Sequence, residues 1–345
     1  MKSRSLSMAF GAALIAIAGA ANTKDVLSGC FQWEASAPLI SPEDRDGDHY
    51  YSIKDPSVVQ YEGQWHLFCT IRGQKRSHQI EYVSFRDWSS IARARRETLR
   101  LSEGYFCAPQ VFFFEPQKKW YLIYQIVDES RTPALQPAFS TSTDIASPSS
   151  WTPPELLFAG SSQGVKNWID FWVVCGNSKA YLFFTTLDGK MWRSEAPLSE
   201  FPNGWRQPLV VLEDDIYEAS HTYRLKGLAK YLTVVEARAP AGRRYYKAYL
   251  ADTLDGAWTP LAASADRAFA WPGNVRFPEE PWTDSFSHGE LLRDGYDQTL
   301  TVDPEKLRFL FQGVSDANRQ GKIYGQIPWS LGLLSPVPEG CRTPF

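Results

Sequence analysis

Five times along this 345-residue chain, a short β-run enters a polar turn and returns as a second, more apolar run. The units are "KDPSVVQYEGQWHLFCTI", "CAPQVFFFEPQKKWYLIYQI", "IDFWVVCGNSKAYLFFTT", "YEASHTYRLKGLAKYLTVVEA" and "YDQTLTVDPEKLRFLFQGV". Their starts, Asp55, Ala108, Asp170, Glu218 and Asp297, lie 53, 62, 48 and 79 residues apart. Short apolar runs punctuated by turn residues read as β-hairpins, and helical periodicity is nearly absent. Periods near 50 residues with several strands each are the signature of a propeller. The prediction is an all-β fold, a five-bladed β-propeller. A two-sheet sandwich also alternates strands and turns, but it gives no reason for five similar hairpins spread over the whole chain. The segment "IYGQIPWSLGLLSP" (323–336) is expected to supply the last strands and seal the ring.

The first 21 residues stand apart from this pattern. Lys2 and Arg4 precede the apolar run "MAFGAALIAIAGA", which is too short for a membrane span and ends in small residues. That is the layout of a secretory signal peptide cleaved near Ala20 or Ala21. Residues 22–345 are then expected to form a single, secreted catalytic or binding domain and to act as a monomer. A net charge of -3 offers no basic field for nucleic acid, and no stop-transfer stretch anchors the chain in a membrane. The charged run "RARRETLR" (93–100) lacks interleaved aromatics and reads as a solvated blade edge.

Cysteines occur at 30, 69, 107, 175 and 341. Cys69, Cys107 and Cys175 sit inside apolar runs and are expected to be buried thiols. Cys30 and Cys341 lie at opposite ends beside polar stretches, and an oxidising compartment would pair them. Such a long loop would remove on the order of 4 to 5 kcal/mol of unfolded-state entropy. No CxxC or His-rich metal spacing is present.

In a propeller each innermost strand begins at the mouth of the central channel. The repeat therefore points Asp55, Asp170, Glu218 and Asp297 toward one axis. Carboxylates crowded together repel, and folding gains nothing from that. Function is the simpler reason, although Asp297 fits a support for the channel better than a catalyst. Two or three acids in an aromatic setting suit glycoside hydrolysis: one protonates the leaving oxygen and another activates water. The chain holds 13 Trp, 16 Tyr and 20 Phe, enough for both blade core and sugar platforms. Glu218, between Tyr217 and the nearby His221, suits a proton donor, and Lys54 beside Asp55 favours the ionised form a base requires.

The motifs "SIKDPSVV", "CAPQVFFF", "WIDFWVV", "YEASHTYRL" and "SHGELLRDGYDQTL" resemble those of glycoside hydrolase family 62. The resemblance runs from about Cys30 to "IPWSLGLL" and, more weakly, extends to family 43. It implies an inverting α-L-arabinofuranosidase acting on arabinoxylan, with Asp55 as general base, Glu218 as general acid and Asp170 positioning the sugar and tuning the acid. Lys54, Gln110, Arg244 and Tyr324 resemble furanose-binding residues, with Arg243 competing for the place of Arg244. It further implies a calcium ion (Ca2+) in the channel, held by His288 with Gln298 nearby; residue chemistry alone does not suggest this, because calcium prefers oxygen ligands. Two alternatives stay open at this level: a family 43-like xylosidase or arabinanase, and a non-catalytic sugar-binding propeller.

Overall fold

Four of the five predicted hairpins form the inner half of a sheet, and the chain then adds strands outward. The computed structural model describes residues 23–160 and 164–337. The leader (1–21) and Cys341 fall outside them, and with Cys341 the Cys30 pairing. Five sheets form around one channel. Blade 1 runs from Tyr50–Tyr61 outward through Gln64–Gly73, Gln79–Phe85 and Arg96–Thr98. Blade 2 is Phe106–Phe114, Lys119–Val127, Leu135–Ser142 and Glu155–Leu156; blade 3 is Ile169–Cys175, Lys179–Thr185, Lys190–Pro197 and Leu209–Glu213. Blade 4 starts at Glu218–Leu225 and continues through Tyr231–Arg238, Arg244–Ala251, Thr259–Ser264 and Arg267–Ala268. No helix among the described residues is long and apolar enough to cross a membrane.

Blade 5 departs from the predicted unit. Its innermost strand is Ser285–Leu291, not the segment that starts at Asp297. Phe309–Val314 and Ser330–Pro336 follow, and the N-terminal strand Trp33–Ala35 pairs antiparallel with Ser330–Pro336. The ring is thus sealed by main-chain pairing of the two chain ends. Residues 323–329 are not strand; Tyr324–Gln326 make one 3-10 turn.

Asp297 lies at the far end of the channel. It bridges in parallel to Phe113, and Thr301–Val302 pair with Arg224 and Leu225. Those partners sit at the ends of inner strands whose starts carry Ala108 and Glu218 at the mouth. The Asp297 carboxylate accepts the Thr299 amide at 2.8 Å, capping a local turn. Hairpin similarity misled here because "YDQTLTV" has strand character but serves as a floor strap beneath three blades.

The core lies between blades and is largely aromatic. Trp172 stacks on His221 with centroids 4.0 Å apart, and Trp120, Phe113, Tyr61 and Tyr296 pack edge to face or tilted between blades 1 and 2. The three expected thiols, Cys69, Cys107 and Cys175, are free and buried. In the basic run, Arg96 is the exception to a solvated edge: it joins Arg45 on the fully buried Glu81.

Candidate active site

All five inner strands break register at the same place, near the channel mouth. Shifts fall between Lys54 and Ser57, Cys107 and Gln110, Ile169 and Trp172, Glu218 and His221, and Ser287 and Gly289. Each shift is a β-bulge, which adds residues on one strand and re-aims a side chain. Pro56 and Pro109 sit within two of them, where no ladder hydrogen bond is lost. Asp55, Ala108, Asp170 and Ala219 adopt positive φ values of 50, 53, 59 and 54°. Such strain in a non-glycine residue costs about 1–3 kcal/mol and clusters at functional sites.

A closed ring of hydrogen bonds holds the bulges. The Asp55 amide donates to Gln312 Oε1 at 2.8 Å, Ala108 to Thr70 Oγ1 at 2.8 Å, and Asp170 to Gln125 Oε1 at 3.2 Å. Ala219 donates to Asp170 Oδ2 at 3.1 Å and His288 to Glu236 Oε2 at 2.9 Å. In every case the acceptor comes from the preceding blade. The bulge residues are therefore Asp55, Ala108, Asp170, Ala219 and His288. Glu218 stands one position earlier, at the level of Lys54 and Ser287. At Gly289 a Cβ would meet Leu310 O at 2.4 Å, so only glycine lets the fifth bulge close.

The ring brings Asp55, Asp170, Glu218, Lys54, Arg244 and His288 together, all buried. Lys54 Nζ is 3.8 Å from Asp55 Oδ2, and His288 Nδ1 is 3.4 Å from Asp55 Oδ1 and 3.8 Å from Asp170 Oδ2. Burial works to raise the Asp55 carboxyl, but Lys54, His288 and a Thr70 hydrogen bond outweigh it and hold it below the usual range. Asp170 is pushed up to about 6, first by burial and then by Asp55 and Glu236, with His288 opposing. Glu218 stands well above an ordinary carboxyl, through burial and the neighbouring Glu236, with Arg244 opposing. Two adjacent acids are thus driven in opposite directions by their surroundings.

Arg244, rather than Arg243, enters the site. Its Nη1 is 3.2 Å from Glu218 Oε1 and also bonds Glu236 Oε1, while Arg243 pairs with Asp316 outside. Tyr324 is half-exposed at the mouth, with Lys54 Nζ 5.3 Å from its ring centroid. Beside it opens a cleft of about 570 Å³ lined by Ala241, Arg319, Lys322 and Tyr324 among others.

Gln110 is elsewhere. It is fully buried, and its amide both donates to Val173 O and accepts from Val173 N, each at 2.7 Å. It laces blade 2 to blade 3 and has no surface to offer a sugar. His221, with its Nδ1 on Gly289 O at 2.6 Å, is held far below the ordinary imidazole range by burial and His288 and stays neutral.

His288 and Gln298 do not meet. Gln298 Oε1 accepts the Glu115 amide and its carbonyl accepts the Cys175 amide, at the far end of the channel. Asp170 and Cys175 are five strand residues apart, roughly 16 Å. Among the described residues no group of three or more His, Cys, Asp or Glu is arranged to hold a metal. His288 and Gln298 are therefore not ligands of one ion, and no step below uses a metal.

Glu236 was not visible as a site residue from the motifs, yet it lies directly opposite Glu218 in register. A signal was present: each second run of the repeat carries a polar residue at its apolar end, Thr70, Gln125, Thr185, Glu236 and Gln312. All five are fully or nearly fully buried, and four of them accept a bulge amide.

One carboxyl held below its ordinary range and another held well above it, at the mouth of a five-bladed propeller, suit a glycoside hydrolase. The chain matches glycosyl hydrolase family 62 over residues 32–335 and belongs to that family. It is 37% identical over 316 residues to "Alpha-L-arabinofuranosidase C" of Cellvibrio japonicus, covering 89% of this chain and 47% of that protein. The chain therefore spans about half the length of that relative. Among solved structures, the catalytic domain of a Coprinopsis cinerea family 62 α-L-arabinofuranosidase superposes with a TM-score of 0.84 at 36% identity, covering 92% of this chain and 100% of that one. A family 62 hydrolase in complex with xylotriose gives 0.83 at 34%, covering 91% and 100%.

Proposed function

We propose that this chain is a secreted, inverting α-L-arabinofuranosidase that removes single arabinofuranose units from arabinoxylan. One observation carries the reading: the same mouth holds Asp55 ionised between Lys54 and His288 and Glu218 protonated against Glu236. Asp55 takes a proton from water as its oxygen attacks the anomeric carbon. Glu218 gives its proton to the glycosidic oxygen, so the xylose hydroxyl leaves neutral and the configuration inverts. Asp170 holds the Ala219 amide, and with it the strand that carries Glu218, and borders the sugar. The names of the Cellvibrio and Coprinopsis relatives support the arabinofuranose, and the xylotriose complex supports a xylan backbone above the pocket. Secretion through residues 1–21 and a Cys30–Cys341 disulfide complete the proposal.

The test is arabinose release from wheat arabinoxylan by wild type, Asp55→Ala and Glu218→Ala, with the product anomer followed by proton NMR. Inverted arabinose from wild type and losses of about a thousandfold or more in both variants are expected. Linear arabinan should yield nothing. Retained configuration, or activity surviving both changes, would sink the assignment.

A further inference from the structure

Tyr217, the residue before Glu218, has two guanidinium groups over its ring. Arg244 lies 4.2 Å from the ring centroid on the inside, with donors on Glu218 and Glu236. Arg238 lies 3.5 Å from it and is exposed at the mouth end of its strand. Its flat face is taken by the ring, which fixes its direction while leaving the edge donors free. Among the described residues no carboxylate pairs with Arg238 or with Lys322 on the adjoining loop.

The adjoining loop adds one more cation, Lys322. The 238–244 turn and the 315–322 loop are laced together: Arg243 and Arg319 share Asp316, and Arg319 donates to Ala241 O at 2.8 Å and Gly242 O at 3.0 Å. Asp284, which accepts the Asp316 amide at 2.8 Å and acts on Arg243, offsets the second of these cations. Lys322 adds its charge along the cleft beside Tyr324.

We propose that Arg238, with Lys322 behind it, forms a subsite for a carboxylate carried by the polysaccharide, a uronic-acid side group near the arabinose to be removed. An immobilised guanidinium with a free edge matches a carboxylate bidentately, whereas a neutral sugar hydroxyl would use a fraction of its donors. The inference rests on the arabinofuranosidase reading and specifies its substrate.

The experiment compares two polymers: arabinoxylan bearing uronic-acid side groups, and the same polymer after carboxyl reduction. Reduction removes the charge and leaves the arabinose pattern intact. At low salt, wild-type kcat/KM should be roughly two- to fivefold higher on the uronate polymer, the range of one exposed charge pair, and the ratio should fall to about one at high salt. Arg238→Ala should bring the ratio to about one at low salt, and Lys322→Ala should lower it. Because each variant is compared with itself on both polymers, any disturbance of Glu218 through Tyr217 cancels. A wild-type ratio of one at low salt, or a ratio untouched by Arg238→Ala, overturns the proposal. Failure of the arabinofuranosidase reading shows differently, as no arabinose from either polymer.

Discussion

Lys54 and Asp55 are neighbours in sequence, and their side chains face each other, Nζ to Oδ2, at 3.8 Å. In a regular strand, successive side chains point to opposite faces. The left-handed conformation at Asp55, φ 50°, cancels that alternation and turns both charges toward the channel mouth. The pair holds a buried carboxyl below its ordinary range, which suits the water-activating base of the proposed mechanism.

Replacing Lys54 with methionine removes the cation that most strongly lowers the Asp55 carboxyl and preserves most of the bulk. Without it, burial dominates and the carboxyl rises. The acid limb of the kcat/KM profile should move up by about one unit or more, with about tenfold loss per unit at pH values below it. An acid limb that stays in place would show that Lys54 does not set the charge of Asp55.

Glu236→Gln removes the charge that most strongly opposes ionisation of Glu218. The acid should then lose its proton at lower pH, so the alkaline limb moves down, again by about tenfold in rate per unit above it. A substrate with a nitrophenol leaving group needs little proton donation and should be spared relative to the polymer. Equal losses on both substrates at every pH would mark Glu236 as structural only.

Asp170 predicts a stability effect with a definite sign. Its folded-state value of about 6 exceeds the ordinary 3.8, so ionising it costs the folded state more than the unfolded chain. The penalty is absent below about pH 4, grows up to about pH 6 and is complete above, amounting to roughly 2–3 kcal/mol. Asp170→Asn should raise the melting temperature at pH 7 but not at pH 4, while activity falls at both. Differential scanning calorimetry at the two pH values checks this.

Gln110→Ala should act on stability and leave the sugar pocket alone. It strands the Val173 amide and carbonyl, at a cost of about 1–3 kcal/mol by denaturant titration. KM for arabinoxylan should stay within about twofold. A large rise in KM with unchanged stability would return Gln110 to the pocket.

The alternation of apolar and polar residues, together with turn chemistry, made four of the five inner hairpins and three of the acids legible in the amino-acid order. These are local properties, carried by residues close in sequence. Arg243 and Arg244 are adjacent and chemically alike, and only the fold shows that Arg244 faces Glu218 while Arg243 faces Asp316. Asp297 kept every local mark of the repeat yet went to the floor of the channel, because Ser285–Leu291 took the inner position of blade 5. Glu236 stayed hidden because its meaning lies in a cross-strand partner, Glu218, and in Ser287 and His288 of the next blade. Sequence by itself determined the strand period, four units of the repeat and three acids that begin inner strands. Tertiary structure decided which way each points, since one inserted residue at a bulge reverses a strand's facing and only the neighbouring blade's acceptor holds the bulge in place.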